Sequence, residues 1–245
     1  MTSPLRASVR DAFFTFNVGN EGLILFLYAD SKNLITAGVG NLADTIPRAL
    51  ALPLRRPDGT LASPAEIEAD WWAVRNHPDA ARLGAPLAAK LTRLRMTRED
   101  VVALVAKRRD QNAAELARRF PGFPSWPASA QMATMSLAWA AGTGFAFPKC
   151  AAALAVGDFA TAAVECKIDE SKTKGVVHRN ASNRALFLAA AWVADTGADP
   201  EPLRWAPPAD EVPTPEPGPT LRDEAMRAWG MQIPVENEPP PSDRC

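Results

Sequence analysis

The chain has 245 residues, of which 47% are apolar and 22% charged, values typical of a soluble globular protein with a sizeable core. No apolar run approaches the roughly 20 residues that cross a bilayer, so no transmembrane segment is expected. Three scattered cysteines argue against a disulfide framework, and two histidines remote from any cysteine pair argue against a metal site.

Charge is distributed unevenly along the chain. Residues 199–245 contain ten acidic and four basic residues, a net charge of −6, so residues 1–198 carry +5. The same C-terminal range holds about half of the 23 prolines. These features predict a packed domain over 1–198 and a largely extended, acidic, Pro-rich tail over 199–245. A basic body suits an anionic polymer, whether peptidoglycan or nucleic acid, and charge alone does not decide between them.

The first predicted element is a short helix from Pro4 to about Phe16, where apolar residues recur with helical spacing. Glu21 follows, between Gly19 and Gly22, where helical order is expected to end. Two apolar runs then flank a polar turn at Asp30–Asn33, a pattern that predicts a β-hairpin.

The rest of the domain reads as helical. Ser63-Pro64-Ala65-Glu66 carries a capping box and should begin a helix, and Thr97 should cap a longer one that ends near Arg119. Within that longer helix, Lys107-Arg108-Arg109 is interpreted as a solvated face. The remaining predicted helices cover Ser129–Ala141, Phe147–Val156, Phe159–Cys166 and Asn183–Thr196. The fold class is therefore mainly α, with a small β-hairpin lobe and a larger helical lobe.

The hairpin region carries residues suited to breaking a glycosidic bond. That reaction needs an acid to protonate the leaving oxygen and a carboxylate near the opposite face of the sugar. Glu21, at a helix end beside an apolar run, can be the acid, and Asp30, on a solvated turn, can remain ionised. Thr36 on the return strand offers a hydroxyl that can hold a water beside Asp30.

This pattern resembles the phage-type lysozymes (endolysins, or muramidases) of glycoside hydrolase family 24. In that family a Glu-Gly motif closes the first helix, and a Tyr-x-Asp begins a hairpin that ends in Thr-x-Gly-x-Gly. The matching residues here are Glu21, Gly22, Tyr28, Asp30, Thr36, Gly38, Gly40 and Leu42. The resemblance continues more weakly to about residue 196.

The resemblance also implies a role for one more residue, an arginine late in the domain. Asn183-Arg184-Ala185 matches the family's Asn-Arg-Ala, whose arginine pairs with the catalytic glutamate, so it implies an ion pair between Arg184 and Glu21. Two departures stand out. Asn41 replaces the histidine that usually follows the second hairpin glycine, which removes a buried ion pair. The segment before Thr97 is also longer.

The resemblance implies hydrolysis of the β-1,4 bond between N-acetylmuramic acid and N-acetylglucosamine, and hence lysis of the bacterial cell wall. It also implies inversion of configuration, for which the two carboxyl groups stand ~6.5–9.5 Å apart. The expected partner is the glycan strand of peptidoglycan rather than nucleic acid, with a monomeric enzyme and no cofactor. The sequence lacks a secretory signal, so synthesis in the cytoplasm and release or non-Sec delivery to the cell wall are expected.

Alternatives remain at this point. The chain could be a lysozyme-like module of a phage tail or secretion system that binds peptidoglycan without cutting it, or a lytic transglycosylase, which needs one carboxylate. Asp30 could be mainly a turn residue. The acidic tail could bind a carrier or secretion component.

Overall fold

The computed structural model describes residues 3–171 and 176–205. Within these ranges the chain forms nine α-helices, one short 3-10 helix and a three-stranded antiparallel sheet in the order β1-β2-β3. The prediction of a mainly α fold with a small β lobe is confirmed.

The helices are α1 (Ala7–Glu21), α2 (Ile46–Leu50), α3 (Pro64–Arg75), α4 (Ala80–Leu91), α5 (Arg98–Arg119), α6 (Ala128–Ala141), α7 (Pro148–Val156), α8 (Phe159–Glu165) and α9 (Val176–Thr196). The strands are β1 (Ile24–Ala29), β2 (Ile35–Gly38) and β3 (Asn41–Leu42), and the 3-10 helix covers Phe123–Ser125.

Helix α1 is longer than predicted. It continues past Phe16 and through Gly19, and it ends at Glu21 because Gly22 adopts a positive φ of 76°. The predicted hairpin follows at once, with Tyr28 opposite Thr36 across β1 and β2. Glu21 therefore stands where the helix meets the sheet.

Both predicted helix starts are confirmed in detail. At α3 the Ser63 hydroxyl accepts from the backbone of Glu66, whose carboxylate accepts from the Ser63 backbone. Thr97 and Asp100 make the same pair of bonds at α5. These caps fix where the two helices enter the domain.

The short α2 and helix α4 were both absent from the sequence prediction. Of these, α4 is the longer. It contains Gly84, whose φ of 53° kinks it, and Pro86, and both residues usually mark the end of a helix. It packs against β1, where Gly84 approaches the carbonyl oxygen of Ala29. The added length before Thr97 thus covers the outer side of the hairpin.

Helix α6 forms the centre of the helical lobe, as predicted. All its residues from Ala128 to Trp139 are buried, and it packs chiefly against α9. No helix within residues 3–171 and 176–205 is both long and apolar enough to cross a membrane. Cys150 and Cys166 are free and buried in the same lobe, and burial raises their pKa values to about 12 and about 11.

The predicted boundary of the tail at residue 199 is too early. Glu201 pairs with Arg6 at 3.3 Å, and the Arg204 backbone bonds the Ser129 hydroxyl at 2.9 Å. Trp205 lies against Phe16, with ring centroids 5.5 Å apart. These contacts place residues 199–205 in the packed body. The predicted boundary was wrong because a proline-rich, acidic composition does not reveal such contacts. The remainder of the predicted tail, 206–245, lies outside the described residues.

Candidate functional site

The candidate site centres on an ion pair between Glu21 and Arg179. The Arg179 Nη2 donates to Glu21 Oε1 at 2.5 Å, and its Nη1 donates to the carbonyl and hydroxyl oxygens of Ser136 at 3.1 and 3.0 Å. The side chain of Arg179 is only 3% exposed, whereas that of Glu21 is 29% exposed. One guanidinium thus joins α1, α6 and α9, and it leaves the glutamate open to solvent on one side.

The prediction that Arg184 pairs with Glu21 is wrong. Arg184 is exposed and lines a different cavity beside Cys166. Arg179 and Arg184 lie five residues apart on α9, which places them roughly 140° apart around the helix, so they face different sides. Because α9 begins at Val176 rather than Asn183, Arg179 lies within the helix and reaches Glu21.

Asp30 closes the hairpin turn. Its Oδ1 accepts from the backbone N–H groups of Lys32 and Leu34, both at 2.8 Å. Asn33 completes the turn with a left-handed φ of 59°, a conformation that asparagine tolerates well. The turn therefore holds the Asp30 carboxylate in one orientation.

Glu21 and Asp30 open onto the same cleft, as the sequence predicted. The cleft has a volume of ≈ 340 Å³ and lies between the hairpin turn and the ends of α1, α6 and α9. Its lining residues are Asn20, Glu21, Asp30, Ser31, Lys32, Ala140, Ile168, Val176 and Arg179. Two carboxylates and two cations thus line one water-accessible space.

Thr36 lies behind this cleft rather than in its lining. It is buried on β2, and its side chain is close enough to the Tyr28 phenol to lower the pKa of that group. Burial has the larger effect and raises the Tyr28 pKa, and the charges of Glu21 and Asp30 raise it further. The Thr36 hydroxyl completes no hydrogen bond of normal geometry with a described residue. Tyr28 thus lies near both acids, as a support for the hairpin.

Gly38 and Gly40 shape the backbone next to Glu21. Both have positive φ, 69° and 65°. A Cβ at Gly40 would lie 3.3 Å from Glu21 Oε2, and one at Gly38 would lie 2.8 Å from Asn41 Nδ2. Glycine is needed at both positions for conformation and for space. The predicted supporting role of the two glycines therefore has a geometric basis.

Arg108 contradicts the interpretation of Lys107-Arg108-Arg109 as a solvated face. Its guanidinium donates to the carbonyl oxygens of Gly40 at 3.1 Å and Trp139 at 2.9 Å, and it lies 3.9 Å from the centroid of the Trp139 ring. Burial lowers the pKa of Arg108, while the nearby charge of Glu21 raises it. Arg108 therefore ties the hairpin lobe to α6 at Gly40, one residue before Asn41.

Replacing Gly40 with alanine should reduce the activity of the site by about tenfold. The methyl group would press on the Glu21 carboxyl, and the positive φ would cost about 1–2 kcal/mol of stability. Gly59→Ala is the matched control, because Gly59 has a φ of 84° but nothing within 4 Å of its Cβ position. Thermal melts should show similar losses for both variants. A loss of activity that is equal in both variants would contradict a role for Gly40 at Glu21.

No family model matches this chain, and no curated protein matches it. The site itself consists of a partly exposed glutamate held by a buried arginine, with an aspartate lining the same cleft.

Proposed function

We propose that this protein is a muramidase, a glycoside hydrolase that cleaves the β-1,4 bond after N-acetylmuramic acid in peptidoglycan. The observation that carries the proposal is the shared cleft of Glu21 and Asp30, which offers an acid and a second carboxylate to one substrate. The net charge of +5 on residues 1–198 and the presence of Lys32 and Arg179 in the cleft favour an anionic polymer.

Glu21 is the proposed general acid. Its exposed side faces the cleft, where it can donate a proton to the leaving oxygen. Once the proton has left, Arg179 stabilises the carboxylate that remains, and it needs no rearrangement because Ser136 already fixes its position. Arg179 thus favours the state reached after proton transfer.

Asp30 is the proposed base, acting on a water at the opposite face of the sugar. Both turn bonds go to Oδ1, which leaves Oδ2 to accept a hydrogen bond from that water. Thr36 lies behind the turn and outside the cleft lining, so in the proposal it supports the hairpin and does not position the water. An inverting reaction requires the two carboxyl groups to stand ~6.5–9.5 Å apart in the substrate complex.

Asp30→Asn separates the chemical role of Asp30 from its structural one. The amide oxygen of asparagine can still accept from Lys32 and Leu34, so the turn should persist and the melting temperature should change little. We expect kcat on peptidoglycan to fall about 100-fold, because the amide cannot take a proton from water. Full activity in this variant would show that Asp30 only shapes the turn.

The proposal is tested against a binding role by incubating the full chain with purified, dye-labelled peptidoglycan. Soluble dye should be released, and protein that pellets with the remaining wall should decrease as digestion proceeds. If the protein pellets with the wall and releases no dye, even at high enzyme concentration and long incubation, the chain is a peptidoglycan-binding module and the muramidase proposal fails.

A further inference from the structure

A second, larger cleft begins on the other side of Gly40. It has a volume of ≈ 560 Å³ and lies between β3, α2 and the exposed face of α5. Its polar lining residues are Asn41, Arg48, Lys107, Arg108, Gln111 and Asn112. The lining contains three cations and three amides but no acidic residue, so it is built to receive negative charge.

Two of the cations are available to a ligand. Arg48 and Lys107 are exposed, and no carboxylate within the described ranges lies within salt-bridge distance of either. Arg108 differs, because its guanidinium is already engaged with Gly40 and Trp139. Arg48 and Lys107 therefore face the cleft from α2 and α5 as a pair without counter-charges.

Amide donors near the pair are also without partners. The side-chain nitrogens of Asn41 and Asn112 are buried, and neither donates to any residue that the structure describes. These two nitrogens are closed off from the cleft, so the donors that a carboxylate can reach are the exposed side chains of Arg48, Lys107 and Gln111. Two cations with an amide beside them are a suitable donor set for a carboxylate.

The second cleft lies next to Glu21 at Gly40. The Glu21 carboxyl lies against Gly40, and Gly40 also lines the second cleft. A polymer bound at Glu21 can therefore extend past β3 toward Arg48 and Lys107. The lactyl carboxyl of muramic acid is consumed in the amide bond to the peptide, so the free carboxylates of peptidoglycan lie mainly on its peptides.

We propose that the Arg48–Lys107 cleft binds a carboxylate of the peptide attached to the glycan strand, an inference that rests on the proposed muramidase function. It makes the enzyme selective for glycan strands that still carry their peptides. The glycan itself binds at Glu21 and Asp30.

The selectivity is tested by comparing kcat/KM on peptidoglycan with kcat/KM on the same strands after an amidase has removed the peptides. The ratio of the two values should exceed one for the wild type and fall about fivefold in the double variant Arg48→Gln/Lys107→Gln at low salt. The control variant Lys90→Gln/Arg118→Gln removes two exposed cations from other helix ends and should keep the wild-type ratio. An equal fall in both double variants would show only general charge attraction and would overturn the proposal.

A binding measurement keeps this inference separate from catalysis. In the Glu21→Gln background, a soluble muropeptide with a free peptide carboxylate should bind more tightly than an N-acetylglucosamine oligomer, as measured by calorimetric titration. Arg48→Gln/Lys107→Gln should remove that difference. If the chain cuts no glycan but the difference is present and Arg48-dependent, the muramidase proposal fails while the carboxylate site stands. If the two ligands bind alike, the carboxylate site fails.

Discussion

Replacing Glu21 with glutamine should reduce fragment release from peptidoglycan by about 10³-fold. The amide cannot protonate the leaving oxygen, and general acid catalysis contributes ~10²–10⁴-fold to such reactions. The fold should be retained, since the amide oxygen can still accept from Arg179 and α1 still ends at Gly22. The measurement is the rate of reducing-end formation, taken together with a thermal melt and a peptidoglycan pelleting assay.

The control for this variant is Glu99→Gln, which makes the same chemical change at an exposed position on the first turn of α5. It should keep wild-type activity. If Glu21→Gln released fragments at the rate of Glu99→Gln, with both proteins folded, Glu21 would not be the acid and the account of the cleft would fail.

Removing the charge at Arg179 should destabilise the protein and inactivate the site together. Arg179→Met keeps most of the side-chain volume but leaves Glu21 without its counter-ion and removes the two hydrogen bonds from Arg179 to Ser136. Breaking a buried pair in this way costs ~3–5 kcal/mol, and the partial exposure of Glu21 brings the expected loss to about 2–3 kcal/mol. The melting temperature should fall by about 5–10 °C.

Arg184, five residues after Arg179 on α9, is the control position for this variant. Arg184→Met removes an exposed cation from the same helix, so its stability should stay within about 0.5 kcal/mol of wild type and its activity should be unchanged. A double-mutant cycle of Arg179→Met with Glu21→Gln should give a coupling energy of about 1 kcal/mol or more. If Arg184→Met caused the larger loss, the ion-pair assignment would be reversed.

The part of the site that lies close together in sequence was predictable. Glu21 and Asp30 fall within ten residues, and the helix end, turn and strands that position them follow from local glycines and alternating apolar residues. Local signals also located the capping box at Ser63 and the helix start at Thr97. In these places one short segment determines both the conformation and the side-chain positions.

The parts built from distant segments were not predictable in the same way. The choice between Arg179 and Arg184 depends on where α9 begins and on which side it turns toward α1, and composition contains neither fact. Arg108 lies in a run of three basic residues, a pattern typical of a solvent-facing helix surface. Only the folded chain places Gly40 and Trp139 beside it. Residues 199–205 are attached to the body by contacts with α1 and α6, which a proline-rich composition does not reveal.

Hydrolysis can be distinguished from other cleavage by digesting purified peptidoglycan with the full chain in water enriched in heavy oxygen and analysing the new chain ends by mass spectrometry. We expect reducing N-acetylmuramic acid ends that carry one heavy oxygen atom at C1, because a water positioned by Asp30 attacks that carbon. Anhydro-muramic ends, in which no water is incorporated, would show a lytic transglycosylase and would contradict the role proposed for Asp30.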